Sequence, residues 1–209
     1  MMPPRVGWAF VAAGLLGCGG SPPPDPAVPP VTLPLPVSAL AGREILVLPV
    51  GLIAADDSLG WRDWFRDRAA ARSAADSLIA DALSERAPEV PWVLPPRLRQ
   101  IAARNPTVVP DPDRMPGAVL RDERLTEVPD PLRAQLRTLS SFTSARYVLV
   151  PAALYYELTP SSEGRAHLVM VVADVRLGTI TFRSTASGDG PDPWTALEAA
   201  LAALTPIER

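Results

Sequence analysis

The chain has no lysine, a single cysteine and a single histidine among its 209 residues. Without lysine there is no Schiff-base amine and no Walker-type phosphate clamp. One histidine, His167, cannot build a histidine metal cluster or an HExxH helix. One cysteine, Cys18, leaves no disulfide even in an oxidising compartment, so stability must come from an apolar core. The hydrophobic share of 47% is ample for one. A formal net charge of −3 offers no positive footprint for nucleic acid. Ser140 and Ser141 have no nucleophile-elbow pattern around them, and His167, at the start of an alternating strand, reads as a partly exposed, non-catalytic residue. The acid pairs Asp56-Asp57, Asp111/Asp113 and Asp122-Glu123 lack EF-hand spacing and read as solvated loop carboxylates. The expectation is no catalytic residue, no metal site and no enzyme.

What is present begins at the N-terminus. Arg5 precedes eleven apolar or small residues, Val6 to Leu16. That is too short to cross a bilayer, which takes about 20 residues, but has the order of a secretory signal. Leu15-Leu16-Gly17-Cys18 resembles a bacterial lipobox. The resemblance implies cleavage between Gly17 and Cys18, acyl chains on the Cys18 sulfur, and a membrane anchor in the cell envelope facing the periplasm. The covalent lipid is then the one non-protein group expected. A buried structural cysteine is the competing reading. Gly19, where Asp would suggest inner-membrane retention, leans toward the outer membrane. Residues 18–42 read as a proline-rich linker, with eight prolines between Ser21 and Pro36. Proline fixes φ and lacks a donor, so an extended tether of about 70 Å at full stretch is expected. It would be a spacer, or a docking site for a proline-reading domain.

Residues 43–209 read as one globular domain. Glu44 to Val50 forms a continuous apolar strand. A long helix is expected from Trp61 to Arg86, with Ala71, Ala74, Ala75, Leu78, Ile79, Ala82 and Leu83 as its apolar stripe. Val90 to Leu94 reads as an edge strand, Pro95 to Arg104 as a short helix, and 105–129, with five prolines, as an irregular surface excursion. Asp130-Pro131 should start a helix bearing Leu132, Leu136, Leu139 and Phe142. Strands follow at 146–156, 166–176 and 179–186, the last two joined by a turn at Leu177-Gly178. Asp192-Pro193 starts a closing helix with Trp194, Leu197, Leu201 and Leu204. This order implies an α/β (α+β) fold, a single mixed sheet of about five strands covered by helices.

Three phrases carry a wider likeness: Ile45-Leu46-Val47-Leu48-Pro49-Val50, Ala145 to Val150, and Ala173 to Ile180. In that order they resemble a family of envelope lipoproteins and related domains that includes the curli-secretion lipoprotein CsgG, the penicillin-binding-protein activator LpoB and the amino-terminal domain of TolB. Arg146 and Pro151 stand where that family commonly has Asp and Gly, and Leu177 replaces Thr. The resemblance implies a non-enzymatic accessory module, acting on an envelope protein partner and in reach of envelope or peptidoglycan assembly. Its channel-forming members imply the alternative, an oligomeric subunit of a secretion or surface-assembly complex, with which a homo-oligomer is compatible.

The surface candidate is Trp61, Trp64, Phe65 and Arg68, expected on one helical face with Asp63 and Asp67 opposite. Aromatics and arginine are enriched in binding hot spots and also suit a membrane interface. Plain packing of the aromatics onto the sheet edge is the third reading.

Overall fold

The computed structural model describes residues 32–205. The expected signal peptide (1–17), Cys18 and the linker as far as residue 31 lie outside the described residues. The apolar run after Glu44 forms β1 (Ile45–Val47), buried throughout, as a strand without polar alternation should be. It runs parallel to β3 (Trp92–Val93) on one side and β4 (Tyr147–Leu158) on the other. A short strand that the sequence did not announce, β2 (Ile53–Ala55), pairs with β4 farther along, Ile53 opposite Leu154. β4 then continues antiparallel into β5 (Gly164–Asp174) and β6 (Thr179–Gly190). The order β3-β1-β4-β5-β6, with β2 beside β4, makes one mixed sheet of six strands. Gly178 closes the β5–β6 turn with a φ of 76°, a conformation that disfavours side chains.

Helices cover both faces. On one, α2 (Arg68–Arg86) and α5 (Pro193–Leu204) lay Ala75, Ile79, Leu83, Leu197, Leu201 and Leu204 against Ile45, Val47, Leu168 and Met170. On the other, α3 (Pro95–Arg104) and α4 (Leu132–Ser140) place Leu98, Leu132, Leu136 and Leu139 over Leu46, Leu48, Val150 and Val171. Asp192 caps α5 as expected, accepting the Trp194 and Thr195 N–H groups.

Four expectations are corrected. The tether does not run free to residue 42. The Leu35 N–H donates to the Leu204 carbonyl at 2.8 Å, Thr32 Oγ1 to the Thr185 carbonyl at 3.1 Å, and the Leu33 N–H to Ser184 Oγ at 3.0 Å. Leu35 and Leu40, the latter in the one-turn helix α1 (Val37–Leu40), are buried. The folded part therefore reaches back at least to Thr32, because Leu35, between Pro34 and Pro36, and Leu40 after them join the α5 side of the core. The long helix starts at Arg68 rather than Trp61, since Asp67 accepts the Ala69 and Ala70 N–H groups and ends the preceding turns. Asp130 does not cap α4; Pro131 occupies that position with no side-chain hydrogen bond. The 105–129 excursion is irregular, with two 3₁₀ turns (Pro112–Arg114 and Gly117–Arg121), yet it buries Val109, Met115, Leu120 and Val128 in the second core. It is a lid on the sheet rather than a surface loop.

Arg146 finds its reason across the sheet. Asp174 ends β5, 1% exposed, with Arg146 Nη2 at 2.6 Å and the Arg176 and Leu177 N–H groups at 2.9 and 3.0 Å. Burial pushes the Asp174 carboxyl up, but these donors together outweigh it and hold it below the usual carboxylate range. Its contribution to stability is therefore complete above the unfolded value of about 3.9 and lost as pH falls through the lower folded value. Asp174→Asn is expected to lower the urea midpoint at pH 7 and to make the loss of stability between pH 5 and 2 shallower. Asp113, Asp189 and Asp192 are also held low, by Arg99, Arg165 and Thr195, so the acid limb should not vanish. An unchanged midpoint at pH 7 would show that the Asp174 cluster contributes nothing.

Candidate functional site

The Trp61–Phe65 segment is held by turns instead of a helix. A 3₁₀ turn at Asp57–Leu59 ends on Gly60 with φ 68°, and a second spans Trp61–Asp63. The single helical face expected for Trp61, Trp64, Phe65 and Arg68 is thus not how they meet. The turns bring the three aromatics together by another route, around Tyr156 of β4 and Trp194 at the start of α5. Trp61 packs edge-on to Tyr156 (centroids 5.4 Å apart) and occupies the space a Cβ at Gly164 would need. Phe65 lies 5.5 Å from Tyr156 and 6.2 Å from Trp194, and Trp64 meets Trp194 edge-on at 6.4 Å. Trp61 and Phe65 are half-buried, whereas Trp64 is 50% exposed. Arg68 is exposed and shares a cleft with Trp64, Arg66 and Asp67. Asp63 pairs with Arg66 at 2.6 Å, and Asp67 is committed to the α2 cap.

Packing and presentation are therefore divided among the candidates: Trp61 and Phe65 brace the aromatic cluster, and Trp64 is the ring it presents. Beneath them the Tyr156 hydroxyl is buried without a hydrogen-bond partner among the described residues. Burial, and then the nearby Asp192 carboxylate, push its pKa well above the ordinary tyrosine value. Phe65→Ala should cost about 2 kcal/mol or more, as truncation of a packed aromatic does. Trp64→Ala should cost less than about 1 kcal/mol, because half of its surface already meets water. Equal losses for the two, measured by chemical denaturation, would make Trp64 a core residue and remove it as a binding candidate.

A second constellation was not read from the sequence. The second sheet face is covered only in part, and its open half carries Tyr155, Glu157, His167, Arg165, Ser187 and Asp189. His167 is 8% exposed, which corrects the partly exposed reading. Its Nε2 lies 2.9 Å from Glu157 Oε1, its Nδ1 2.9 Å from Ser187 Oγ, and its ring stacks on Tyr155 at 4.8 Å. Arg165 grips Asp189 through two bonds of 2.6 and 2.8 Å. Only periodicity could have shown this row: residues two apart on β5 share a face, but which strands flank His167 is a matter of register. Ser187 lies within a strand rather than on a strand-to-helix elbow, and the row reads as a satisfied cross-strand polar network.

The acid pairs are occupied by local structure. Asp56, Asp111 and Asp122 each accept a backbone N–H two residues on, and Asp113 pairs with Arg99 at 2.7 Å. Arg99 also reaches the buried Asp76 at 2.6 Å, whose other oxygen accepts the Val50 N–H. Among the described residues no group of three or more His, Cys, Asp or Glu could hold a metal ion.

No protein-family model matches the chain, and no curated protein matches it in sequence. Among solved structures it is similar to the LpoB C-terminal domain from Salmonella enterica, at 15% identity over 74% of this chain and 93% of that one, with a TM-score of 0.42. A PelC dodecamer from Paraburkholderia phytofirmans gives 13% identity over 84% and 95%, with a TM-score of 0.38. A lipoprotein from Neisseria meningitidis gives 16% over 70% and 80%, with a TM-score of 0.35. At these scores the likeness is loose, and the functional reading rests on the residues of this chain.

Proposed function

We propose that the chain is a lipid-anchored protein of the bacterial envelope, outer membrane before inner, whose folded domain binds another protein and carries out no reaction of its own. The observation that carries this is Leu15-Leu16-Gly17-Cys18 behind Arg5 and an apolar run too short to span a bilayer. The exposed Trp64, braced by Phe65 and Trp194, supports it as the type of residue that anchors protein interfaces. The mechanism is tethering. Acyl chains at Cys18 confine the domain to the membrane surface and raise its effective concentration for a neighbour. Because Thr32 is already bonded to the folded part, the tether this proposal calls for is fourteen residues, 18–31. At about 3.1 Å per residue that reaches roughly 40 Å, against the 70 Å expected from the linker alone.

The test is the intact mass of the protein extracted from membranes. Residues 1–17 should be missing, and the peptide beginning at Cys18 should carry the mass of its acyl chains. A chain with an uncut N-terminus, or an unmodified Cys18 thiol, would overturn the reading.

A further inference from the structure

Three features of the described residues converge on the segment that precedes them. The first is direction. Thr32 Oγ1 donates to the Thr185 carbonyl and the Leu33 N–H to Ser184 Oγ, while the Leu35 N–H reaches Leu204 at the end of α5. As the residue number falls from 33 to 32, the β6 partner rises from 184 to 185. The chain upstream of Thr32 is thus set antiparallel to β6 and aimed along it toward Gly190.

The second is an edge. β6 ends the sheet. Its outer side is taken at Ile180, whose N–H donates to the Thr126 carbonyl, and again at Ser184 and Thr185. From Ala186 to Gly190 that side has no backbone partner among the described residues. Thr185 turns its carbonyl outward, and the alternation of an antiparallel ladder turns the N–H groups of Ser187 and Asp189 the same way.

The third is what stands beyond Gly190. Trp194, four residues on, is half-buried against Phe65 and meets the exposed Trp64 edge-on. Trp92 donates its indole N–H to the Ala87 carbonyl, but no such bond engages Trp61, Trp64 or Trp194 among the described residues. Rings with unengaged N–H donors suit an extended proline-rich strand, whose pyrrolidines stack on aromatics and whose carbonyls accept.

We infer that the occupant of this surface is the chain's own segment 21–31, SPPPDPAVPPV. It follows the β6 edge from Thr185 to Gly190, its carbonyls accepting the Ser187 and Asp189 N–H groups, and lays Pro22-Pro23-Pro24 on Trp194 and Trp64. Proline has no N–H to offer, so the segment covers the edge without extending the sheet to further strands. The reach suffices. Thr185 to Gly190 is about 17 Å along the strand, and residues 22–31 extend roughly 31 Å in polyproline form. The inference rests on the reading of Trp64 as the binding surface and adds its regulation: a partner that takes Trp64 displaces 21–31 and so lengthens the tether. With 21–31 seated, Cys18 to Ser21 alone span to the anchor, about 12 Å, against roughly 40 Å on release.

Residues 18–209 carrying Cys18→Ser and labelled with 5-fluorotryptophan read this by fluorine NMR, since the indoles there are Trp61, Trp64, Trp92 and Trp194. Trp64→Phe and Trp194→Phe assign the two signals. Replacing Pro22, Pro23 and Pro24 by Ser should shift both and leave Trp92, the control for an intact fold, unmoved. A synthetic peptide of residues 19–31 added to that variant should return the two signals toward their wild-type positions. It should bind the chain with its prolines intact at least about tenfold more weakly, because the resident segment competes at high effective concentration. Trp64 and Trp194 signals indifferent to the triple substitution overturn the proposal. So does a peptide that leaves them unmoved in the variant, or one that binds both chains equally. None of these results touches the mass of the Cys18 peptide or the capture of a partner at Trp64, so the proposals fail separately.

Discussion

A chain truncated after Gly188 should not yield a soluble domain that melts cooperatively. The cut removes α5, whose Ala196, Leu197, Ala200, Leu201 and Leu204 are all 2% exposed or less. It would also leave Leu168, Met170, Val172 and Ala186 facing water on that side of the sheet. Three leucines at about 1.5–3 kcal/mol each already approach the whole net stability of a domain, about 5–15 kcal/mol. Gly188 and Gly190 show how close the contact is: a Cβ at Gly190 would come within 2.5 Å of the Ala196 backbone nitrogen, and one at Gly188 would meet the Ala199–Ala200 backbone. Gly188→Val should therefore destabilise the full chain by about 3 kcal/mol by forcing α5 off the sheet. The truncated chain should be insoluble or rapidly proteolysed. A product that melts near the full-length temperature would contradict this architecture.

Cys18→Ser should move the protein almost entirely from the membrane pellet to the soluble fraction on fractionation of cells. Stable residence needs two or more acyl chains, since each buried CH₂ contributes only about 0.8 kcal/mol. A variant that stays in the pellet after a high-salt wash would show that something other than Cys18 holds it there.

The parts of the fold legible in the sequence were those with a local signal. The Asp192-Pro193 start of α5, the Gly178 turn and the apolar run of β1 each follow from residues within one turn of the feature. Less legible was which side of the sheet each helix takes. Val169, Val171, Val175 and Ile180 face the opposite core, whereas α5 lies on the side of Leu168, Met170, Val172 and Phe182. A strand buried on both faces has no polar alternation to mark its sides. The Arg68 start of α2 was missed because Trp61 and Phe65 keep a helix-like spacing across two 3₁₀ turns, whereas Asp67 as a cap was a readable stop. The role of Arg146 was not legible, because its partner Asp174 lies 28 positions away. The candidate aromatics were found for a wrong geometric reason, and the row around His167 was beyond reach because cross-strand register joins residues 10 and 20 positions apart.

The claim that the folded domain binds while the lipid only places it is tested most directly at Trp64. A photo-crosslinking residue replaces Trp64 in intact cells, with Val108, 61% exposed and remote from the aromatic cluster, as the control position. A discrete envelope-protein adduct should form from the Trp64 position and not from Val108. It should weaken in the Cys18→Ser background and return when purified residues 18–209 carrying Cys18→Ser are added at high concentration to isolated envelopes. The same adducts from both positions, or none from Trp64 above the Val108 level, would contradict a partner-binding domain with its contact at this surface.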